Sequence, residues 1–192
     1  FHKIHMGITA ENVAEQFGIS RQQMDELSVE SHRRAAAAIA AGRFKDQIVP
    51  VMLKTRKGEV AFDTDEHVKA DTTMETLGKM RPAFKKDGSV TAGNASGIND
   101  AASAVVLAAG DAVKAQNLKP LARLVGYAHT GVEPTIMGIG PVPATRKVLE
   151  RTGLSIGDLD VIESNEAFAA QACAVVKELG LDPAKVNPNG SG

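Results

Sequence analysis

The stretch "DLDVIESNEAFAAQACAVVKELG" (158–180) decides how the chain is read. A short run rich in Val and Ile stops at Ser164, the pair Asn165–Glu166 follows, and an Ala-rich segment continues to Gly180. The run predicts a strand. The segment after it has apolar residues at helical spacing and predicts a helix over 167–179, which Gly180 ends. Working outward, "PLARLVGYA" (120–128) predicts another strand, and "ATRKVLERTG" (144–153) a helix started by Pro143 and closed by Gly153. Strand and helix alternate from 120 onward, the pattern of an α/β layer with a largely parallel sheet.

Upstream the character differs. Thr9 is placed to cap a helix "AENVAEQF" (10–17) that Gly18 closes. Ser20 and Gln23 have the spacing of a capping box for a long helix ending at Gly42. "QIVPVMLK" (47–54) predicts a strand with Pro50 at an edge or bulge, "TRKGEV" (55–60) a turn, and 63–80 a polar connection. "VTAGNASGINDAASAVVLAA" (90–109) is a Gly/Asn loop leading into a small-residue segment at 101–109. That segment is a buried strand, or a helix if Asp100 caps it; periodicity leaves both open. The boundary between a helical, polar insertion and a sheet-based part falls near 90–120.

Composition narrows the function classes. The 192 residues carry a net charge of -1, so no general electrostatic pull draws the chain to nucleic acid or to an anionic membrane. Aromatics are 4% with no Trp, a poor platform for stacking bases. No apolar run is long enough to span a bilayer. The single cysteine, Cys173, excludes an internal disulfide framework and points to a reducing, cytoplasmic setting. The opening Phe1-His2 is neither an initiator Met nor a signal peptide, and the chain is expected to be a section of a longer polypeptide.

Two readings of Asn165–Glu166 stand side by side. Asn is a favoured helix cap, and Glu suits the first turn of a helix. Equally, strand ends in parallel α/β sheets face the ligand crevice, where an amide can hold a water or an oxyanion and a carboxylate can orient an imidazole. The glycine motifs do not bind nucleotide phosphates: "MGIGPVPA" puts Pro141 where the turn must continue, and "GNASG" lacks the Lys-Ser/Thr of a P-loop. Cys173 lies mid-helix, where no dipole lowers its pKa, and reads as a packed, inert thiol. His2, His5, His32, His67 and His129 show no metal-ligand spacing, and no metal is expected. "LKTRKGE" (53–59) reads as a solvated turn.

Taken together, "HMGITAENVA", "TAGNASGINDAASAVVL", "EPTIMGIGPVPATRKVLE", "IESNEAFAAQACA" and "VNPNGSG" resemble the thiolases over nearly the whole chain, in family order. The resemblance implies an α/β, thiolase-like fold with partial duplicated mixed or parallel sheets and helices, plus an α-rich loop domain. It divides the chain into a CoA-binding loop domain at 1–95, the last strand region of the N-terminal domain at 96–118, and the first part of the C-terminal domain at 119–192. It also implies two-step acyl transfer through a Cys thiolate: acetyl-CoA condensing to acetoacetyl-CoA, or the reverse thiolysis of a 3-ketoacyl-CoA. CoA thioesters are substrates, with no permanently bound cofactor. The partners implied are acetyl-CoA, acetoacetyl-CoA and, for the complete protein, further copies in a tetramer.

By the same resemblance Asn165 is the oxyanion-hole amide, with Glu166 beside it and Phe168 walling the pocket. His5 and Met6 line the pantetheine channel, Ser96 bonds the pantetheine arm with Ala92 packing nearby, and Met137 lies near the acyl group. Lys69, Thr76 and Phe84 contact the nucleotide end of CoA. Lys69 stands where the family often has Arg, keeping the charge without a guanidinium plane to stack on adenine. The family's nucleophilic Cys, its Gly-His-Pro histidine and its second Cys are not among the 192 residues. The chain alone is therefore expected to be inactive and poorly stable, with unpaired strand edges. The alternative is a non-catalytic acyl-CoA- or lipid-binding relative.

Overall fold

Helix α1 (Met6–Phe17) begins where an imidazole can satisfy a free backbone donor: Nδ1 of His5 accepts from the N–H of Gly7 at 3.0 Å. The computed structural model describes residues 3–191; Phe1, His2 and Gly192, and with them the reading of His2, lie outside the described residues. The cap expected at Thr9 is thus displaced by a turn. Thr9 is inside the helix, its hydroxyl donating to the Met6 carbonyl at 2.6 Å. Gly18 ends α1 at φ 62, as its lack of a Cβ permits. Helix α2 (Arg21–Ala40) opens with the Ser20–Gln23 capping box, Ser20 N–H donating to Gln23 Oε1 at 2.8 Å.

The one regular sheet among the described residues is an antiparallel hairpin. Strand β1 (Val51–Thr55) pairs with β2 (Gly58–Phe62) from Val51↔Phe62 to Thr55↔Gly58. Pairing starts after Pro50, not across it, because proline has no N–H to give to a ladder. Short helices α3 (Met74–Gly78) and α4 (Gly110–Ala115) follow, then a 3-10 turn (Pro134–Ile139), α5 (Pro141–Thr152), a 3-10 turn (Ile156–Asp158) and α6 (Ala169–Leu179). Gly153 and Gly180 terminate α5 and α6 in the left-handed conformation.

Helix α6 is the hub, in contact with α1, α2, α5 and the 3-10 turn before α5. Its Ala169, Ala170 and Ala174 are buried with Val175, against Val13 of α1 and Met24 of α2. Alanines let the neighbouring helices approach closely, while each buried Val contributes roughly 1.5–3 kcal/mol. Two buried carboxylates tie loops to this helical core. Glu11 accepts from Val90 N–H at 2.9 Å and from both N–H and Oγ of Ser89. Asp25 pairs with Arg21 at 2.8 Å and accepts the side-chain amide of Asn94 at 2.9 Å. Arg34 of α2 donates to the Val186 carbonyl at 2.6 Å, holding the loop after α6. Its partner Glu30 also meets Arg33, and hydrogen bonding to the two guanidiniums brings that carboxyl down to about 2.

Three expected strands do not form ladders. Residues 101–109 carry neither strand nor helix, and Asp100 caps nothing; α4 starts only at Gly110. Residues 120–128 are equally irregular, and Val106 (97%) and Leu121 (105%) stand fully exposed. Of 158–164, only Ile162 pairs, in a parallel bridge to Val186. A strand exists by virtue of its partner's N–H and C=O groups; among the described residues 101–109 and 120–128 enter no ladder, and 158–164 bridges only to the loop at 185–187.

Candidate acyl-transfer site

The turn between Ile162 and α6 is positioned by backbone pairing with a loop seventy residues earlier in the chain. Ser96 N–H donates to the Ala167 carbonyl at 3.1 Å, and Ala169 N–H to the Asn94 carbonyl at 2.9 Å, which makes Ala95–Phe168 an antiparallel bridge. The two motifs "GNASG" and "NEAFA" are thereby one structural unit. Asn94 is the buried pin of that unit: its amide reaches Asp25 and the Ser89 carbonyl, and its Oδ1 accepts Thr91 N–H at 2.8 Å.

An aromatic row runs along one side. The rings of His5 and Phe84 stack at 4.8 Å, and Phe84 meets Phe168 edge-on at 6.1 Å. Gly7 permits this row, since a Cβ there would collide with the Phe84 ring. Met6 and Met137 are exposed, the latter on the 3-10 turn that Asn12 ties to α1 through the Thr135 carbonyl at 2.9 Å. Ala92 and Ser96 are exposed on the loop that carries the bridge.

Asn165 is exposed and does not cap α6; the cap position is Phe168, without a side-chain bond. The capping alternative is therefore excluded for α6. Glu166 is half-buried and accepts the side-chain amide of Asn187 at 2.7 Å. On one side it lines a cavity of about 50 Å³ together with Ser31, His32, His67 and Ser96. On the other it borders a cavity of about 440 Å³ between α2 and α6, where Cys173 and Val176 sit. Burial, then the negative charges of Glu166 and Glu26, push the Cys173 thiol up to about 11.

Lys69 belongs to the connection between the hairpin and α3, and Thr76 lies in the first turn of α3. The Lys69 N–H donates to Nδ1 of His32 at 3.3 Å, and the rings of His32 and His67 are 6.3 Å apart. Burial, then the nearby charges of His67 and Lys69, lower the His32 pKa from its ordinary value, against Glu166 and Asp71. The Thr76 hydroxyl is engaged locally in the Thr73 capping box, accepting Thr73 N–H at 3.1 Å. Sequence reading overlooked Asn94, Asn187 and the His32–His67 pair. Asn187 carried one signal, an Asn in a Gly/Asn/Pro loop, a residue type that tolerates the left-handed conformation it adopts at φ 46.

Among the described residues, no helix is long and apolar enough to cross a membrane. The pattern described as "Thiolase, N-terminal domain" matches residues 1–111, and "Thiolase, C-terminal domain" matches 118–192. The chain is 68% identical to the beta-ketothiolase BktB of Cupriavidus necator over 100% of its own length and 49% of that protein's. It is 57% identical to an acetyl-CoA acetyltransferase of Escherichia coli, over 98% of this chain and 48% of the other. It thus spans about half the length of the curated relatives it matches. The crystal structure of the Bacillus anthracis acetyl-CoA acetyltransferase superposes with a TM-score of 0.97 at 56% identity, covering 100% of this chain and 49% of that one. Human mitochondrial 3-ketoacyl-CoA thiolase in complex with CoA follows at TM-score 0.91 and 49% identity, covering 97% and 46%. The architecture is the thiolase-like α/β fold, and the chain belongs to the thiolase family.

Proposed function

We propose that the whole protein carrying this chain transfers acetyl groups between CoA thioesters, condensing two acetyl-CoA to acetoacetyl-CoA and, in reverse, cleaving 3-ketoacyl-CoA with CoA. The observation that carries the reading is the bridge between "GNASG" and "NEAFA". It joins the loop of Ser96 to the turn that carries Asn165, Glu166 and Phe168. Glu166 shares a cavity with Ser96, while the exposed Asn165 lines a separate one beside Thr145 of α5 and Val175 of α6. In this role the Asn165 amide holds a water against the thioester oxygen as negative charge develops there, and a donor fixed before the reaction stabilises that charge most. Glu166 orients the neighbouring polar groups. His5, Met6, Ala92, Ser96, Met137 and Phe168 line the pantetheine and acyl path, Phe84 extends that path from its stack on His5 toward the nucleotide end, and Lys69 and Thr76 meet the nucleotide end.

The same proposal divides the chain into a loop domain at 1–95, a strand region at 96–118 and a C-terminal part at 119–192. It takes the complete protein as a cytoplasmic homotetramer with CoA thioesters as substrates and no resident cofactor. Cys173, with its thiol at about 11, is unfit to be the nucleophile, so the 192-residue chain alone turns nothing over.

The test is cleavage of acetoacetyl-CoA by the whole protein, wild type beside Asn165→Ala. The expected loss in kcat is about 10²–10³-fold, the scale of one oxyanion donor. Acyl-CoA binding without turnover in the wild type would instead establish the non-catalytic acyl-CoA-binding alternative.

A further inference from the structure

We infer that Asn187 is a positioning residue that fixes both neighbours of Asn165 with one buried amide, a role that rests on the acyl-transfer reading above. The side chain is 3% exposed. Its Oδ1 accepts Ser164 N–H at 2.7 Å, and its Nδ2 donates to the Ser164 carbonyl at 2.7 Å, so the amide pairs with both backbone groups of one residue, as a residue of a neighbouring strand would. The second Nδ2 hydrogen goes to Glu166 Oε1 at 2.7 Å. The backbone N–H of Asn187 holds the Ile162 carbonyl at 2.8 Å, and Arg34 and Gly190 both donate to its own carbonyl.

Residues 163–166 have no regular structure, so nothing in a ladder or helix fixes Asn165. Asn187 replaces that missing ladder. Ser164 is held on both its backbone groups and Glu166 by its carboxylate, which leaves Asn165 as the one residue between two anchored points. A merely structural Asn would need only the pair of bonds to Ser164. The third bond sets the direction of the Glu166 carboxylate in the wall it shares with His32, His67 and Ser96. A misplacement of about 1 Å in such a constellation costs on the order of 100-fold in rate.

The variant Asn187→Asp removes both Nδ2 donations, to the Ser164 carbonyl and to Glu166, but only the second sets two carboxylates against each other. It keeps an oxygen to accept Ser164 N–H but presents a carboxylate to Glu166 where an N–H stood. At about pH 8 the introduced Asp is ionised and faces Glu166 as a like charge; at about pH 6 the Asp can take a proton and donate in place of the amide, because a neighbouring like charge raises a carboxyl pKa. In the whole protein, we expect kcat for acetoacetyl-CoA cleavage to fall at least about tenfold at the higher pH with KM changed less than about twofold. The ratio to wild type should recover at the lower pH. Hydrogen exchange of 162–168, corrected for intrinsic rates, should lose protection in the variant only at the higher pH. An Asn187→Asp enzyme with the wild-type pH profile, or a uniform loss of kcat and protection at both pH values, would overturn the inference. Wild-type protein with the expected exchange pattern but no cleavage would support the clamp and sink the acyl-transfer reading.

Discussion

Asn94 in the "GNASG" loop donates its side-chain amide to the buried carboxylate of Asp25 on α2 at 2.9 Å, across 69 positions of sequence. The same Asn accepts from Thr91 and passes its backbone carbonyl to Ala169, so α2, the loop and the start of α6 meet at one side chain.

Asn94→Ala removes that meeting point and leaves the Thr91 N–H unpaired and Asp25 short of a donor, both buried. The expected cost is about 2–4 kcal/mol, from unsatisfied buried groups added to lost bonds. Denaturant unfolding of the whole protein reads it. A change below about 0.5 kcal/mol would show that water replaces the amide without loss.

Gly7→Ala drives a methyl into the Phe84 ring and breaks its stack on His5. Overpacking of this kind costs about 1–3 kcal/mol. Gly18→Ala is the matched control: nothing but the tip of Lys177 lies near its Cβ, and only the left-handed φ of 62 is strained. Its cost is about 1–2 kcal/mol. We expect the first variant, and not the second, to raise KM for acetoacetyl-CoA.

His32 makes stability depend on pH with a definite sign. Its folded pKa lies below the ordinary 6.5, so the folded chain binds this proton less readily than the unfolded one. The contribution is complete above the unfolded value and is lost as pH falls through the folded one. Protonating Nδ1 also abolishes its bond from the Lys69 N–H. The charges facing it are His67, Lys69, Glu166 and Asp71. Unfolding free energy measured between about pH 8 and pH 5 should fall less steeply in His32→Gln than in wild type.

Cys173, with its thiol at about 11, remains protonated near neutral pH. Alkylation by iodoacetamide at about pH 8 should run roughly 100-fold slower in the native protein than in denaturant, since only the thiolate reacts. Intact mass against time checks it, and equal rates in the two states would place the thiol in solvent.

Much of the helical architecture was legible because helix ends are local events. Gly18, Gly153 and Gly180 end helices where expected, and the Ser20–Gln23 box opens α2, since each device works within one turn of its own backbone. The start of α1 was misread because two residues competed as cap. The imidazole of His5 won by reaching Gly7 N–H, leaving Thr9 to bond inside the helix.

The sequence alone determined the family motifs and the placement of Asn165 and Glu166 at the end of an apolar run. Only the tertiary structure decided that 101–109 and 120–128 find no ladder partner among the described residues, that Phe84 sits between His5 and Phe168, and that Asn187 holds Glu166. The division has a physical cause. Caps and terminators draw on donors and acceptors three or four residues away, which spacing reveals. Ladders and buried amide clamps draw on groups brought near by the path of the whole chain, and no local pattern encodes that path.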